Sequence, residues 1–520
     1  MDSNAAKNVG ISQRIIRSTF ANYLGQIVTF GTGFVMTPFI LHQLGPASYG
    51  LWLLVGAVMA YGRLFDLGIT DAVIKYTAEY RARGQGAQAR SLIATALSIY
   101  TVVGLIVLVL AAILAPFFPI LFNVPPGDQA TAAWLVLLMG LAAGISIPCA
   151  TTYSVLAGLQ RFDLINVISI IGTLLTAGAT VVVLLLGGGP LGMVIVSIPI
   201  TLLMQVPMIW FIRRNAPELR FGWRGASRSL LRAVFSFSSA VFVIQVSGQL
   251  QTKTDEIVIG AFLPIVAVTP YALAHKLSDI AQLLSRQFLK VLLPIASGLH
   301  AEDDRARLQG LYTASTRLAL ASFLPVGGIV VLLAQPLLTA WVGAAYASAA
   351  HLVAILTVAS LIDLSQWPAG SVLQGMAKHR RLAIFSIGSG LVNLGLSLVL
   401  VHPLGITGVA LGTLIPTSIE CLVFIMPHAM RILNISGRRM IMEVFLPAFL
   451  PAVPMIIVVY LLQIIFPISS WLSIACVAGM GLIVYVIGYL GFGASAVERQ
   501  TWNGLAFSAL RFARIHLKLS

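Results

Sequence analysis

Only 9% of this chain is charged, yet Arg63, Lys253, Lys276, Arg286 and Lys290 fall inside segments otherwise apolar enough to sit in a bilayer. Ionised side chains in hydrocarbon are costly and face a bundle interior or a wet cavity, so their positions point to function. Guanidinium and ammonium groups in a low-dielectric cavity are counter-charges for a multiply charged anion. The acids in the same segments, Asp66, Glu256, Asp279, Asp363 and Glu420, suit the uptake of a proton or a sodium ion. Neutral hydrogen-bonding groups, among them Asn22, Gln26, Gln245 and Gln249, complete the candidate set.

Helical projection groups these residues into stripes. Asp279, Arg286 and Lys290, flanked by Gln282 and His275, share one narrow face, and Ser238, Gln245, Gln249, Thr252 and Glu256 share another with Lys253 at its edge. Ser18, Asn22, Gln26, Thr29, Gly33 and Thr37 form a third stripe, and Arg63, Asp66 and Thr70 a fourth. Blander readings stand beside the functional ones. Asp71, Lys75 and Glu79 read as a salt-bridged ladder at headgroup level. Arg63 and Asp66 could neutralise each other, Lys290 could snorkel to the surface, and Asp363 and Glu420, lone acids in apolar surroundings, could be protonated and hydrogen-bonded.

The elements that position these residues follow from composition. Hydrophobic residues make up 58% of the chain, the mean hydropathy is +0.95, and apolar runs of about twenty residues recur from end to end, each long enough to cross the hydrocarbon core. The expectation is an all-α polytopic membrane protein with fourteen spans near 18–41, 49–78, 91–118, 130–156, 164–187, 191–212, 233–262, 268–297, 313–334, 349–373, 382–402, 406–430, 441–466 and 470–491. Loops such as HQLGPAS, FNVPPGDQ and HPLGIT hold no Lys or Arg, whereas the alternate loops carry Arg81, Arg83, Arg161, Arg305, Arg380 and Arg438, so both termini are expected in the cytoplasm.

The chain also repeats itself. AGLQRFDLINVISIIGTLLTAGATVVVLLLGGGPLG is echoed by QGMAKHRRLAIFSIGSGLVNLGLSLVLVHPLGITG, pairing Gly158 with Gly375 and Pro190 with Pro403. The expected organisation is a six-span lobe at 1–213, a basic linker at 214–232, a second six-span lobe at 233–432, two added spans at 433–491 and an amphipathic tail at 492–520 lying on the inner leaflet. Equal orientation of the copies implies a central cavity between the lobes, with the first, second, seventh and eighth spans lining it.

Composition and motifs also exclude. Cys149, Cys421 and Cys476 have no paired spacing, which argues against a disulfide framework or a zinc site and leaves them as core fillers. The net charge of +15 is distributed through short loops, as topology requires, and implies no nucleic acid. No phosphate-cradling loop ends in Lys-Ser or Lys-Thr, and no outer loop is long enough to house a catalytic pair, so transport is favoured over an enzymatic activity and no cofactor is expected. The polar, basic start lacks the pattern of a signal peptide.

LGPASYGLW (Leu44 to Trp52) followed by LFDLGITDAVIKYTAEYRARG (Leu64 to Gly84) resembles the signature of the polysaccharide and oligosaccharide flippases within the multidrug/oligosaccharidyl-lipid/polysaccharide exporter superfamily. The resemblance extends over the chain through the twelve-plus-two span pattern, and it identifies the family better than the substrate. It implies a bacterial inner-membrane protein that moves a polyprenyl-pyrophosphate-linked oligosaccharide to the outer leaflet, with proton or sodium coupling and a polysaccharide polymerase and chain-length machinery as partners. By the same resemblance Arg63, Arg286, Lys253, Lys276 and Lys290 would hold the pyrophosphate, Arg63 being a departure because the family pattern is usually apolar before Asp-Leu-Gly. Amides and hydroxyls on the first and seventh spans would meet sugar hydroxyls. The competing readings are a cation-coupled drug or metabolite antiporter of the same superfamily, which predicts an acidic cavity, and a membrane glycan polymerase or assembly subunit.

Overall fold

Hydrocarbon offers the backbone no hydrogen-bond partner, so an apolar chain that crosses it must close its bonds within each segment. The computed structural model is accordingly helical, with no strand among the described residues. It describes residues 2–499 apart from 67, 220, 223–224, 228–229, 231–245, 247, 250, 252, 290, 379, 469 and 496–497, and leaves undescribed the side chains of 2–23, 63, 284 and 286–288. The helices that matter below are α1 (Asp2–Ala60), α2 (Ile69–Ala82), α3 (Gly86–Leu121), α4 (Gln129–Gly158), α5 (Phe162–Leu185), α6 (Gly189–Asn215), α7 (Thr254–Phe262), α8 (Val268–Leu289), α9 (Leu292–Ala301), α10 (Arg305–Leu332), α11 (Ala334–Val342), α12 (Ala350–Gly375) and α13 (Arg380–Ser418).

Ten helical stretches among the described residues are long and apolar enough to cross a membrane. Two of them, Leu24–Ala82 and Arg380–Leu433, each hold two of the expected spans, folded at Gly45 (φ 73°) and Gly405 (φ 56°). The expected thirteenth and fourteenth spans appear as Gly437–Ile465 and Trp471–Gly493. The seventh is described mainly through α7, and the eighth is divided between α8 and α9. The chain is an all-α polytopic membrane protein.

The second span departs from expectation. In place of one helix over 49–78, α1 ends at Ala60, a 3₁₀ turn covers Tyr61–Asp66, and α2 begins after Gly68. Gly68 sits at φ 75°, ψ 15°, a left-handed conformation that a Cβ would penalise. The two halves enter separate apolar clusters. Leu51, Leu54 and Val55 pack with Ala111, Phe118, Leu135 and Val194, whereas Ile69, Ala72 and Val73 pack with Leu92, Tyr100, Leu156, Ile168 and Ile212. The interruption lies in the sequence between those two cores.

Two compact units emerge, one of Met1–Ala272 with Ser386–Gly412 and the other of Leu273–Phe385 with Thr413–Ser520. Each contains one copy of the same corners. Left-handed backbone occurs at Gly84 and Gln160 in the first unit, after α2 and α4, and at Asp303 and Ala377 in the second, after α9 and α12. Gly158 and Gly375 are equivalent in packing too. A Cβ on Gly158 would lie 2.8 Å from Thr77 Cβ of α2, and one on Gly375 would lie 2.8 Å from Ala296 Cβ of α9. Small residues also seat α3 on α4, where a Cβ on Gly104 would lie 2.4 Å from the Gly144 oxygen.

Within the second unit, the end of the last span is pinned. Glu498 receives Arg317 Nη2 at 2.7 Å and the Ser495 amide at 2.7 Å, while its own amide donates to Ser495 Oγ at 3.3 Å. This reciprocal Ser-x-x-Glu arrangement is a capping box, the signature of a helix start. Of the amphipathic tail expected at 492–520, residues 496–497 and 500–520 lie outside the described residues. Of the cysteines, Cys421 is a buried filler as expected, but Cys476 is exposed on a membrane helix, where its weakly polar thiol sits among apolar neighbours in sequence.

Gly158→Val is expected to destabilise by about 1–3 kcal/mol through overpacking against α2, and Gly375→Val to do the same against α9. Gly178→Ala, with nothing within 4 Å of its added carbon, is the neutral control, and thermal melting of detergent-extracted protein reads all three.

Candidate functional site

The interruption of the second span forces a polar problem and supplies the parts that solve it. A helix that stops leaves carbonyls without intrahelical donors. At the end of α1, the Ala60 oxygen accepts from Gln249 Nε2 at 3.2 Å. One residue on, Tyr61 Oη and Thr254 Oγ1, at the start of α7, share a hydrogen bond of 2.6 Å. The turn's acid is held from two sides. Tyr100 Oη of α3 donates to Asp66 Oδ1 at 2.5 Å, and Thr70 Oγ1 of α2 donates to the same oxygen at 2.8 Å. Two donors converging on one oxygen fix the orientation of this carboxyl group.

A cavity of about 890 Å³ opens beside these groups, entirely within the first unit. Its polar wall comprises Asp66, Thr70, Asp71, Tyr100, Ser146, Gln249 and Lys253, and its apolar wall includes Met59, Ala143 and Ile147. That is the size class in which pockets enclose most of a drug-sized ligand. Lys253 Nζ stands 3.0 Å from Glu256 Oε1, whose side chain is 9% exposed. The ammonium is therefore largely committed to a buried carboxylate. Next to that pair in sequence, buried Asp255 accepts a hydrogen bond from Tyr271 Oη.

Of the residues expected from sequence, Asp66, Gln249 and Lys253 meet at this cavity, with Glu256 behind Lys253. Gln26 is half-buried on α1 and is not among the lining residues. The third stripe is used partly for its own helix, since Thr37 is buried and donates to the Gly33 oxygen at 2.7 Å. The side chains of Asn22, Arg63 and Arg286 lie outside the described residues, as do Gln245 and Lys290 altogether. Lys276 and Asp279 belong to the second unit, where Lys276 is partly buried and Asp279 Oδ2 lies 3.3 Å from His275 Nδ1.

Several bland readings change as well. Asp71, assigned from sequence to a headgroup-level ladder, lines the cavity instead, because the break places it in the first turn of a new helix. Glu79 pairs with Arg83 at 2.9 Å, and Lys75 Nζ stands 5.0 Å from the centre of the Tyr76 ring. Asp363 is not a lone acid, since Trp367 Nε1, one turn on, donates to its Oδ2 at 3.1 Å. Glu420 is buried in a π-helical turn at Ile419–Ile425. Among the described residues no group of three His, Cys, Asp or Glu is placed to hold a metal ion.

Sequence reasoning missed Tyr61 and Tyr100, because tyrosines in an apolar span look like filler. The signal for the break was present, however, in the two glycines Gly62 and Gly68 that bracket a charged stretch of the second span.

A polysaccharide biosynthesis protein model matches residues 43–351, more than half of the chain. The chain belongs to that family. It is 23% identical over 481 residues to the "uncharacterized membrane protein EpsK" of Bacillus subtilis (strain 168), covering 89% of this chain and 92% of the relative. It is 20% identical over 400 residues to the "probable low-salt glycan biosynthesis flippase Agl15" of Haloferax volcanii, covering 77% and 80%. Its fold is similar to that of the lipid II flippase MurJ in an inward closed conformation, with a TM-score of 0.71, 14% identity, and 91% and 98% of the two chains covered. It is also similar to an inward-facing multidrug resistance MATE family transporter of the MOP superfamily, with a TM-score of 0.69, 15% identity, and 82% and 99% covered.

The Lys253–Glu256 pair separates a structural role from a ligand role. Lys253→Ala leaves Glu256 buried without its ammonium and is expected to lower the melting temperature, whereas Lys253→Ala with Glu256→Ala restores it. Removing one partner of a fully buried pair costs about 3–5 kcal/mol, and the 37% exposure of the Lys253 side chain places the loss well below that range. Activity that returns with stability in the double variant assigns Lys253 to the fold.

Proposed function

We propose that this protein is a flippase that carries a polyprenyl-diphosphate-linked oligosaccharide across the cytoplasmic membrane of a bacterium for polysaccharide biosynthesis. The observation that carries the reading is the polar cavity of about 890 Å³ at a broken membrane helix. Non-helical backbone at membrane depth is tolerated where it lines a cavity, and broken helices are the usual substrate sites of transporters. Membership of a polysaccharide biosynthesis family supports a glycan cargo, and the names of Agl15 and MurJ support the same reading.

In this reading the cargo's polar head is taken from the cytoplasmic leaflet, sheltered from hydrocarbon, and released to the outer leaflet as the cavity is exposed to each side in turn. Arg63, Arg286, Lys276 and Lys290 provide counter-charge for the diphosphate, and Gln26, Asn22, Gln245 and Gln249 provide hydrogen bonds. A proton or sodium ion taken up on Glu256, Asp279, Asp363 or Glu420 drives the return. Both termini lie in the cytoplasm, the assignment that the basic loops support. A polysaccharide polymerase acts on the product.

One observation favours a second reading. The described charged lining of the cavity is Asp66, Asp71 and Lys253, which is acidic enough for a cation-exporting antiporter.

Deleting the gene in its own host is expected to abolish surface polysaccharide and to leave lipid-linked oligosaccharide on the cytoplasmic face. Arg286→Ala with Lys290→Ala, expressed at the normal level, is expected to fail to restore export. Intact export in that variant defeats the cationic assignment, and normal polysaccharide in the deletion strain with increased dye accumulation favours the antiporter.

A further inference from the structure

We infer that Asp66 and Asp71 form a hydroxyl-reading pair for the glycan of the cargo, so that the first unit's cavity grips sugar and leaves the diphosphate to other groups. The inference rests on the flippase reading and names which part of the cargo this cavity takes.

A diphosphate offers only acceptor oxygens, whereas a sugar offers several hydroxyl donors in a fixed array. The described polar wall is rich in acceptors. Tyr100 and Thr70 both spend their hydroxyl protons on Asp66 Oδ1, which orients the carboxylate while Oδ2 carries neither of those bonds. Asp71, an exposed residue in the first turn of α2, adds a second carboxylate to the same wall. Ser146 donates its proton to the Ala142 oxygen at 2.7 Å, so toward the cavity its hydroxyl acts as an acceptor. Gln249 donates through its nitrogen to the Ala60 oxygen. The cationic donor described on the wall, Lys253, is 3.0 Å from Glu256.

The described part of this wall, two carboxylates with a lysine held by Glu256, favours hydroxyls over a diphosphate; the side chain of Arg63, on the same turn, lies outside the described residues. Carboxylates are the strongest neutral-pH acceptors a protein has, and each can take two neighbouring hydroxyls at once. Fixing one carboxylate from behind keeps the ordering cost of binding low. A single metal ion or proton would use the same carboxylates but not a space of about 890 Å³, which accommodates more than one sugar ring.

The test compares two probes on the purified full-length protein in lipid nanodiscs, polyprenyl diphosphate and the same lipid bearing one hexose, with affinities read by native mass spectrometry. The wild-type chain is expected to prefer the glycosylated lipid. Asp66→Asn with Asp71→Asn is expected to lower affinity for that lipid by about tenfold or more, the scale of one charged hydrogen bond, while affinity for bare polyprenyl diphosphate stays the same or rises. Asp71→Asn alone, at a residue that takes neither the Tyr100 nor the Thr70 bond, keeps the test open if Asp66→Asn melts early. Equal loss of both lipids overturns the inference, as does an unchanged sugar preference accompanied by lost dependence on sodium or pH, which assigns the pair to a coupling ion. Failure of the wild-type chain to bind either lipid defeats the flippase reading itself, a result distinct from loss of preference.

Discussion

A backbone group left open in hydrocarbon costs several kcal/mol, and the end of α1 at Ala60 falls in the middle of a span. Protein groups close the gap. Gln249 reaches the Ala60 oxygen, Thr254 meets Tyr61, and Tyr100 and Thr70 converge on Asp66. The bonds from Gln249, Thr254 and Tyr100 tie the broken span to other segments and the Thr70 bond joins its two halves, so the break is a junction rather than a defect. The cavity exists because the two halves of the span follow different apolar cores and the polar turn between them has to face something other than lipid.

The same junction decides which chemistry the cavity can perform. The hydroxyls of Tyr100 and Thr70 are spent on Asp66, that of Ser146 on the Ala142 oxygen, and Lys253 stands beside a buried acid. Charge alone would have suggested an anion site from the five membrane-embedded cations, but the bonding pattern around each group matters more than the count. Lys253 illustrates this. By residue type it is an anion ligand, and by its 3.0 Å contact with Glu256 it is half of a neutral pair.

Much of the architecture was legible because bilayer thickness, positive loops and the twenty-residue apolar period are strong, repeated signals. The site was legible only in part, for identifiable reasons. Helical projection assumes an unbroken helix, so it placed Asp71 on a ladder leading to the headgroups, when the left-handed Gly68 resets the helix and turns that residue into the cavity wall. Asp363 seemed solitary because its partner, Trp367, is an aromatic residue whose ring nitrogen is easily overlooked as a donor. Tyr100 was invisible for a related reason, since its ring belongs to an apolar core and only its oxygen reaches Asp66.

The repeated corners have a consequence of their own. Gln160 and Ala377 hold the same left-handed conformation, at φ 57° and 55°, although neither is a glycine and the two side chains have nothing in common. A backbone shape retained where the side chain has been free to drift marks a position kept for the path of the chain. The chain therefore makes the same reversal after α4 and after α12, and at both corners an exchange of side chain is expected to be tolerated more readily than a change of backbone conformation.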